Sequence, residues 1–287
     1  MSYVTTREML LAAQKGGYAV GAFNFENMEM ALAIIEAAEE CRAPVILQTT
    51  PSTVKYASPE VFAAIAKALA EKATVPVAVH LDHGSSLELC EAAASAGYTS
   101  VMFDGSGESF EKNVELTAKA VEIANKFDIP TEAELGKVGG KEDDHEAEAD
   151  NGTDPDAAAE FVLRTGISSL AVAIGTAHGF YVGTPVLDVQ RLIAIRKKLE
   201  EKGCSIPLVL HGASGLTPEA VKSCIAEGIC KVNFATELRV AYTAAVRENL
   251  ASDAKIYDPK KYGAAARTAV IDAVKQRIIV CGCNGKA

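Results

Sequence analysis

No stretch of the 287-residue sequence is apolar for the roughly 18 residues that a membrane-spanning helix requires. The first residues carry Arg7 and Glu8 and no apolar core of the secretory type, so no signal peptide is expected. Basic charge is in deficit. The net charge is −10, which argues against a general nucleic-acid-binding surface. Low-complexity blocks are missing, as is any Pro/Ser-rich linker, and 49% of residues are hydrophobic, so disorder is not expected. The seven cysteines are odd in number and irregularly spaced, which suggests no disulfide framework and fits a reducing compartment. Cys281-Gly282-Cys283 is expected to be two free thiols rather than a metal clip. Together these absences predict a soluble cytoplasmic protein with no membrane or nucleic-acid partner. The length is ample for a sizeable core.

What is present is a repeated alternation. Eight short apolar runs begin near Tyr18, Pro44, Val75, Thr99, Pro130, Ser168, Ile206 and Cys230, and each is followed by a helical pattern. Runs such as Leu170-Ala171-Val172-Ala173-Ile174 suit parallel strands buried on both faces. Eight right-handed βα units close into a barrel, whereas an open doubly wound sheet usually has fewer strands. The expected fold is therefore α/β: a single (β/α)8 TIM barrel over residues 1–287, with an extra N-terminal helix and a C-terminal helical extension. The N-terminal helix is expected to start at a Thr5 cap with Glu8 three residues on, and to bury Met9, Leu10 and Ala13.

In such a barrel, function gathers where the strands end. Those ends carry Asn24, Asp82, His83, Asp104, Glu132, Glu134, His178, His211 and Asn233, while the opposite ends carry mostly Pro, Ala, Ser and Thr. Of only five histidines, His83, His178 and His211 fall just past the third, sixth and seventh runs. A barrel brings those ends to one mouth, so three imidazoles could share one divalent ion and leave a coordination position open, as catalytic zinc sites do. His80 lies within its strand and is expected to be a packed or supporting histidine. The charges from Glu142 to Glu148, including His145 and Glu146, are expected to be solvated, except that Gly136, Gly139 and Gly140 suggest a lid delivering Glu142 as an acid or base. The turns His211-Gly212-Ala213-Ser214-Gly215 and Asn233-Phe234-Ala235-Thr236 lead into helices and offer backbone N–H groups to an anion.

Leu81-Asp82-His83-Gly84, Glu132-Ala133-Glu134-Leu135-Gly136, Gly139-Gly140-Lys141-Glu142-Asp143, Ala177-His178-Gly179 and the two turns above run in order over essentially the whole chain. Together they resemble the class II, zinc-dependent ketose-bisphosphate aldolases, and within them the members that cleave tagatose 1,6-bisphosphate. The resemblance implies a reversible cleavage to dihydroxyacetone phosphate and glyceraldehyde 3-phosphate. It implies one Zn²⁺ on His83, His178 and His211, with Asp82 moving the proton of the aldehyde oxygen. Glu142 would exchange the proton at the nucleophilic carbon. Gly179, Gly212, Ala213, Ser214, Asn233, Phe234, Ala235 and Thr236 would bind the triose and its phosphate. Asp104 and Glu134 correspond to positions for a displaced or second metal, and a monovalent cation, Na⁺ or K⁺, near Gly179 and Ser214 is a family habit. A homodimer or homotetramer is implied, with room for a companion subunit.

Gly84 follows the Asp-His pair as in fructose-type members, so fructose 1,6-bisphosphate is the alternative substrate. A Schiff-base aldolase needs a lysine at a strand's C-terminal end, and Lys231 and Lys137 do not sit there. A metal-dependent hydrolase commonly begins with a His-x-His pair on its first strand, and Gly21-Ala22-Phe23-Asn24 has none. A non-catalytic companion subunit should lack the metal ligands, and this chain has all three.

Overall fold

The computed structural model describes residues 2–142, 145–147, 152–181, 183 and 185–287, with the backbone alone for 141, 142 and 145–147. The strands are β1 (Val20–Asn24), β2 (Val45–Thr49), β3 (Val77–Gly84), β4 (Ser100–Phe103), β5 (Thr131–Leu135), β6 (Gly139–Glu142), β7 (His145–Ala147), β8 (Ser169–Val172), β9 (Ala177–His178), β10 (Leu208–Leu210) and β11 (Ile229–Phe234). Eight of them form a closed parallel barrel in the order β1-β2-β3-β4-β5-β8-β10-β11, sealed where Val20 to Phe23 pair with Lys231 to Phe234. This is the expected TIM barrel. The eight apolar runs became the eight staves, because strands covered by helices outside and side chains inside are buried along their length.

Local chemistry sets the helix starts. Asn27, Ser86, Ser109, Asp154, Asp188 and Thr217 each accept a backbone N–H at the first turn of the helix they precede, satisfying donors that would otherwise be orphaned. The N-terminal helix, Thr6–Gly16, buries Met9, Leu10 and Ala13 as expected. Thr5 stands at its cap without the expected side-chain bond. Thr6 instead donates to Ser100 Oγ at 3.1 Å, tying this helix to the barrel. The C-terminal helix, Pro259–Cys281, buries Val270, Val274 and Ile278 at a spacing of one turn. It packs on helices Met28–Cys41 and Thr236–Ser252. All seven cysteines are free, with Cys281 and Cys283 buried.

The sequence reading did not include three features. A short helix, Pro51–Ala57, follows β2. The segment expected to be a polar loop after β5 is a hairpin, β6 antiparallel to β7. It extends into a second sheet in which Gly139 and Gly140 of β6 pair in parallel with Ala177 and His178 of β9.

Barrel interiors are usually filled by branched apolar side chains. Here the buried set includes Gln48, His80, Asp82, Glu132, Glu134, Lys231 and Asn233. Buried polar groups persist only when they satisfy one another, and the contacts that do so build the site. Among the described residues no helix is long and apolar enough to cross a membrane.

Candidate active site

β3 aims the first pair of residues. Its register with β4 shifts so that Leu81 pairs with Val101 and Gly84 with Phe103, leaving one extra residue on β3. Such a bulge re-aims side chains at a sheet end. His83 takes φ +49°, left-handed and uncommon for a residue with a Cβ. Gly84 is required where it stands, since a Cβ there would lie 2.3 Å from the Met102 carbonyl oxygen.

Asp82 is fully buried and held by amides. Gln48 Nε2 and Asn233 Nδ2 donate to it at 3.0 Å each, and Asn24 Nδ2 at 3.5 Å. Gln48 Nε2 also donates to Asn24 Oδ1 at 2.7 Å. Four staves, β1, β2, β3 and β11, thus fix one carboxylate. Gln48 escaped the sequence reading. It sits at the end of the second run like the residues singled out on the others, and that same signal could have found it.

His83, His178 and His211 converge. Their ring centroids lie 5.0 Å apart for His83–His178, 4.6 Å for His83–His211 and 6.0 Å for His178–His211. Each offers a nitrogen within 4.8 Å of the others'. Carboxylates hold two of the rings from behind. His83 Nδ1 meets Asp104 Oδ2 at 2.8 Å, and His211 Nε2 meets Glu132 Oε1 at 3.0 Å. Buried His211 Nδ1 makes no hydrogen bond in the described structure, although Glu134 Oε2 is 3.3 Å away. A buried imidazole nitrogen facing two other imidazoles fits a divalent metal, and outer carboxylates that fix ring orientation fit it too. His83, Asp104 and Glu134 form a second group of the same kind.

The charges follow from this packing. Burial pushes His211 down, but its contacts with Glu132 and Glu134 outweigh that and lift it to about 9 without an ion. Burial pushes Asp104 up, yet His83 holds it below the usual carboxylate range. Glu132 is likewise held low by Lys231 and His211 against its burial. His80 is pushed down by burial and by Lys231 and is packed inside the barrel with Nδ1 2.8 Å from Ser100 Oγ.

Beside the imidazoles is a small pocket lined by His178, Gly179, Gly212, Ser214, Asn233, Ala235, Thr236 and Arg239. The two expected turns form it. Gly212 has φ +64°, and a Cβ there would lie 2.6 Å from the Ala177 carbonyl oxygen. Ala235 N donates to Ser214 Oγ at 3.1 Å and joins the turns. Tyr181 Oη accepts from Ala177 N at 2.9 Å and donates to the Gly212 carbonyl at 2.7 Å, anchoring the His178 strand to the pocket. Ala213 is buried away from it, and Phe234 stacks on Phe23 at 5.5 Å, so these two bring only main chain to the turns. Arg239 and Tyr181 were missed. Arg239 follows Thr236 by one helical turn, a spacing that faces it back to the same mouth, and Glu26 pairs with it at 2.5 Å.

Glu142 ends β6, whose pairing with β9 brings the hairpin to His178. The side chains of Glu142, His145 and Glu146, and Glu148 altogether, lie outside the described residues.

Comparison with known proteins finds relatives over the whole length of the chain. The family model for class II fructose-bisphosphate aldolase matches residues 4–286. The D-tagatose-1,6-bisphosphate aldolase subunit GatY of Klebsiella oxytoca is 43% identical over 288 residues, covering 100% of both chains. The crystal structure of the YdjI aldolase from Escherichia coli K12 superposes with a TM-score of 0.88 at 39% identity, over 99% of each chain. A fructose-bisphosphate aldolase from Campylobacter jejuni, 23% identical over 100% of this chain and 97% of its own, shares the fold with a TM-score of 0.86. The chain belongs to the class II fructose-bisphosphate aldolases, a family of metal-dependent aldehyde-lyases.

Proposed function

We propose that this chain cleaves D-tagatose 1,6-bisphosphate reversibly to dihydroxyacetone phosphate and glyceraldehyde 3-phosphate, using one zinc ion on His83, His178 and His211. The observation that carries the reading is the convergence of three imidazoles next to buried Asp82 and the glycine-lined pocket. The choice of tagatose rests on the 43% identity to the Klebsiella aldolase subunit. Zinc, when bound, supplies an electrophile for the negative charge that develops as the carbon–carbon bond breaks.

The chain's own groups do the rest. Asp82, fixed by three amides, takes the proton from the substrate hydroxyl that becomes the aldehyde oxygen and returns it in condensation. Glu142 exchanges the proton at the nucleophilic carbon of dihydroxyacetone phosphate. Backbone N–H groups of Gly179, of Gly212 to Ser214 and of Asn233 to Thr236 hold the phosphate, helped by the N-terminus of helix Thr236–Ser252 and by Arg239. A Na⁺ or K⁺ near Gly179 and Ser214 completes that subsite. Asp104 orients His83 and Glu132 orients His211, and Asp104 and Glu134 offer a second metal position with His83. Residues 1–287 act as one cytoplasmic catalytic domain in a homodimer or homotetramer. Because the Klebsiella relative is named a subunit, a companion protein is part of the reading.

Cleavage kinetics on the two bisphosphates, side by side, test the substrate. A higher kcat/KM for tagatose 1,6-bisphosphate is expected, and equal or faster cleavage of the fructose epimer would overturn it. Fructose is the second reading because Gly84 follows the Asp-His pair and has no room for a side chain.

A further inference from the structure

A lysine inside a barrel calls for a reason. Lys231 is fully buried on β11, two residues before Asn233. Among the described residues its one hydrogen-bond or ion-pair partner is Glu132, with Nζ 3.0 Å from each carboxylate oxygen. Burying both ions costs desolvation that an apolar pair of similar volume would avoid. Neither residue lines the pocket.

What Glu132 touches supplies the reason. Its Oε1 meets His211 Nε2 at 3.0 Å, while Ser169 Oγ and His80 Nε2 approach Oε2 at 3.5 and 3.8 Å. A carboxylate bound to one imidazole nitrogen fixes the ring and its tautomer, leaving the other nitrogen's lone pair for a metal. That other nitrogen, His211 Nδ1, is the one without a hydrogen bond in the described structure. A carboxylate can do this only if it cannot rotate, and Lys231 grips both its oxygens.

We propose that Lys231 is a positioning residue for the metal centre: through Glu132 it locks the His211 ring with Nδ1 turned to the ion. The inference rests on the reading that the three histidines bind zinc. It also gives Lys231 a role unrelated to Schiff-base chemistry.

The test measures zinc affinity of the full chain by chelator competition, and the visible absorption of its cobalt form. The proteins are wild type, Lys231→Met, the doubly neutral Lys231→Met/Glu132→Gln, and His178→Ala as the ligand control. Lys231→Met leaves a buried carboxylate unpaired and can fail to fold, and the double variant removes that hazard. Both Lys231 variants are expected to bind zinc about 10–100-fold more weakly than wild type, with an altered cobalt spectrum. Wild-type affinity and spectrum in both would overturn the inference while leaving the zinc reading intact. Absence of zinc binding by wild type, or binding undiminished in His178→Ala, would overturn the zinc reading itself. Nitrogen-15 NMR of wild-type zinc protein adds a readout independent of variant folding. Zinc on His211 Nδ1 with a proton on Nε2 is expected, and zinc on Nε2 would overturn the proposal.

Discussion

Asp82 has three amide donors on its two oxygens, which fix its position. Asp82→Asn keeps the shape and removes the base, and should lower kcat by about 10²–10⁴-fold. Metal analysis of the same variant should find zinc content unchanged. His211 yields a pH prediction. In the metal-free protein its proton is held up to about 9, above the ordinary 6.5. The stability it contributes is therefore complete below pH 6.5 and lost as pH rises through about 9. Zinc needs the neutral ring, so binding must displace that proton, and zinc affinity should climb with pH until about 9. Chelator competition across this range checks it, and a flat profile would contradict the assignment. At this scale the sequence was highly legible. Polar residues at strand ends stand out because barrel staves are otherwise apolar. Lys231 and Gln48 were illegible in role, since their partners Glu132 and Asp82 lie 99 and 34 residues away; pairing of the neighbouring staves β2 and β3 joins Gln48 to Asp82, and only barrel closure joins Lys231 to Glu132.

At the scale of elements, periodicity located all eight staves and most helices, while the one cap read from the sequence, Thr5, makes no side-chain bond. The hairpin was invisible for a physical reason. Gly139-Gly140-Lys141-Glu142 has no alternation and no branched side chain, and its partner strand β9 belongs to a different loop. Pairing, not propensity, makes it a strand. The pairing depends on Gly140, which has φ +94° and where a Cβ would lie 2.3 Å from the His178 carbonyl oxygen. Gly140→Ala should therefore lift the hairpin from β9, weakening both zinc binding and cleavage by roughly tenfold or more. Far-UV circular dichroism should stay that of the wild type, because the barrel does not use this contact. Glu142→Ala should separate the hairpin's two jobs. Proton exchange at the carbon of dihydroxyacetone phosphate should fall by about 10²–10⁴-fold, with zinc affinity retained. Equal loss of both in Glu142→Ala would mean that the hairpin only supports His178.

At the scale of the molecule, a chain of net charge −10 is proposed to bind a substrate with two phosphates. The attraction must then be local, from helix N-termini, Arg239 and the ion. The same ion should stabilise the whole fold. Its proposed ligands come from β3, β9 and the turn after β10, which unfolding scatters, so zinc would bind the native state and favour it by RT ln(1 + [Zn]/Kd), about 2.7 kcal/mol at a hundredfold excess over Kd. For a chain of this size that is a rise of several degrees in Tm, at roughly 2–4 °C per kcal/mol. Chelator-treated protein should lose cleavage activity and melt lower, and added zinc should restore both. His178→Ala should show neither the loss nor the gain in Tm. Borohydride added with dihydroxyacetone phosphate should leave the zinc-restored enzyme active, because the proposed mechanism uses no Schiff base. Activity that survives the chelator would remove the metal from the mechanism, whatever the histidines do for the fold.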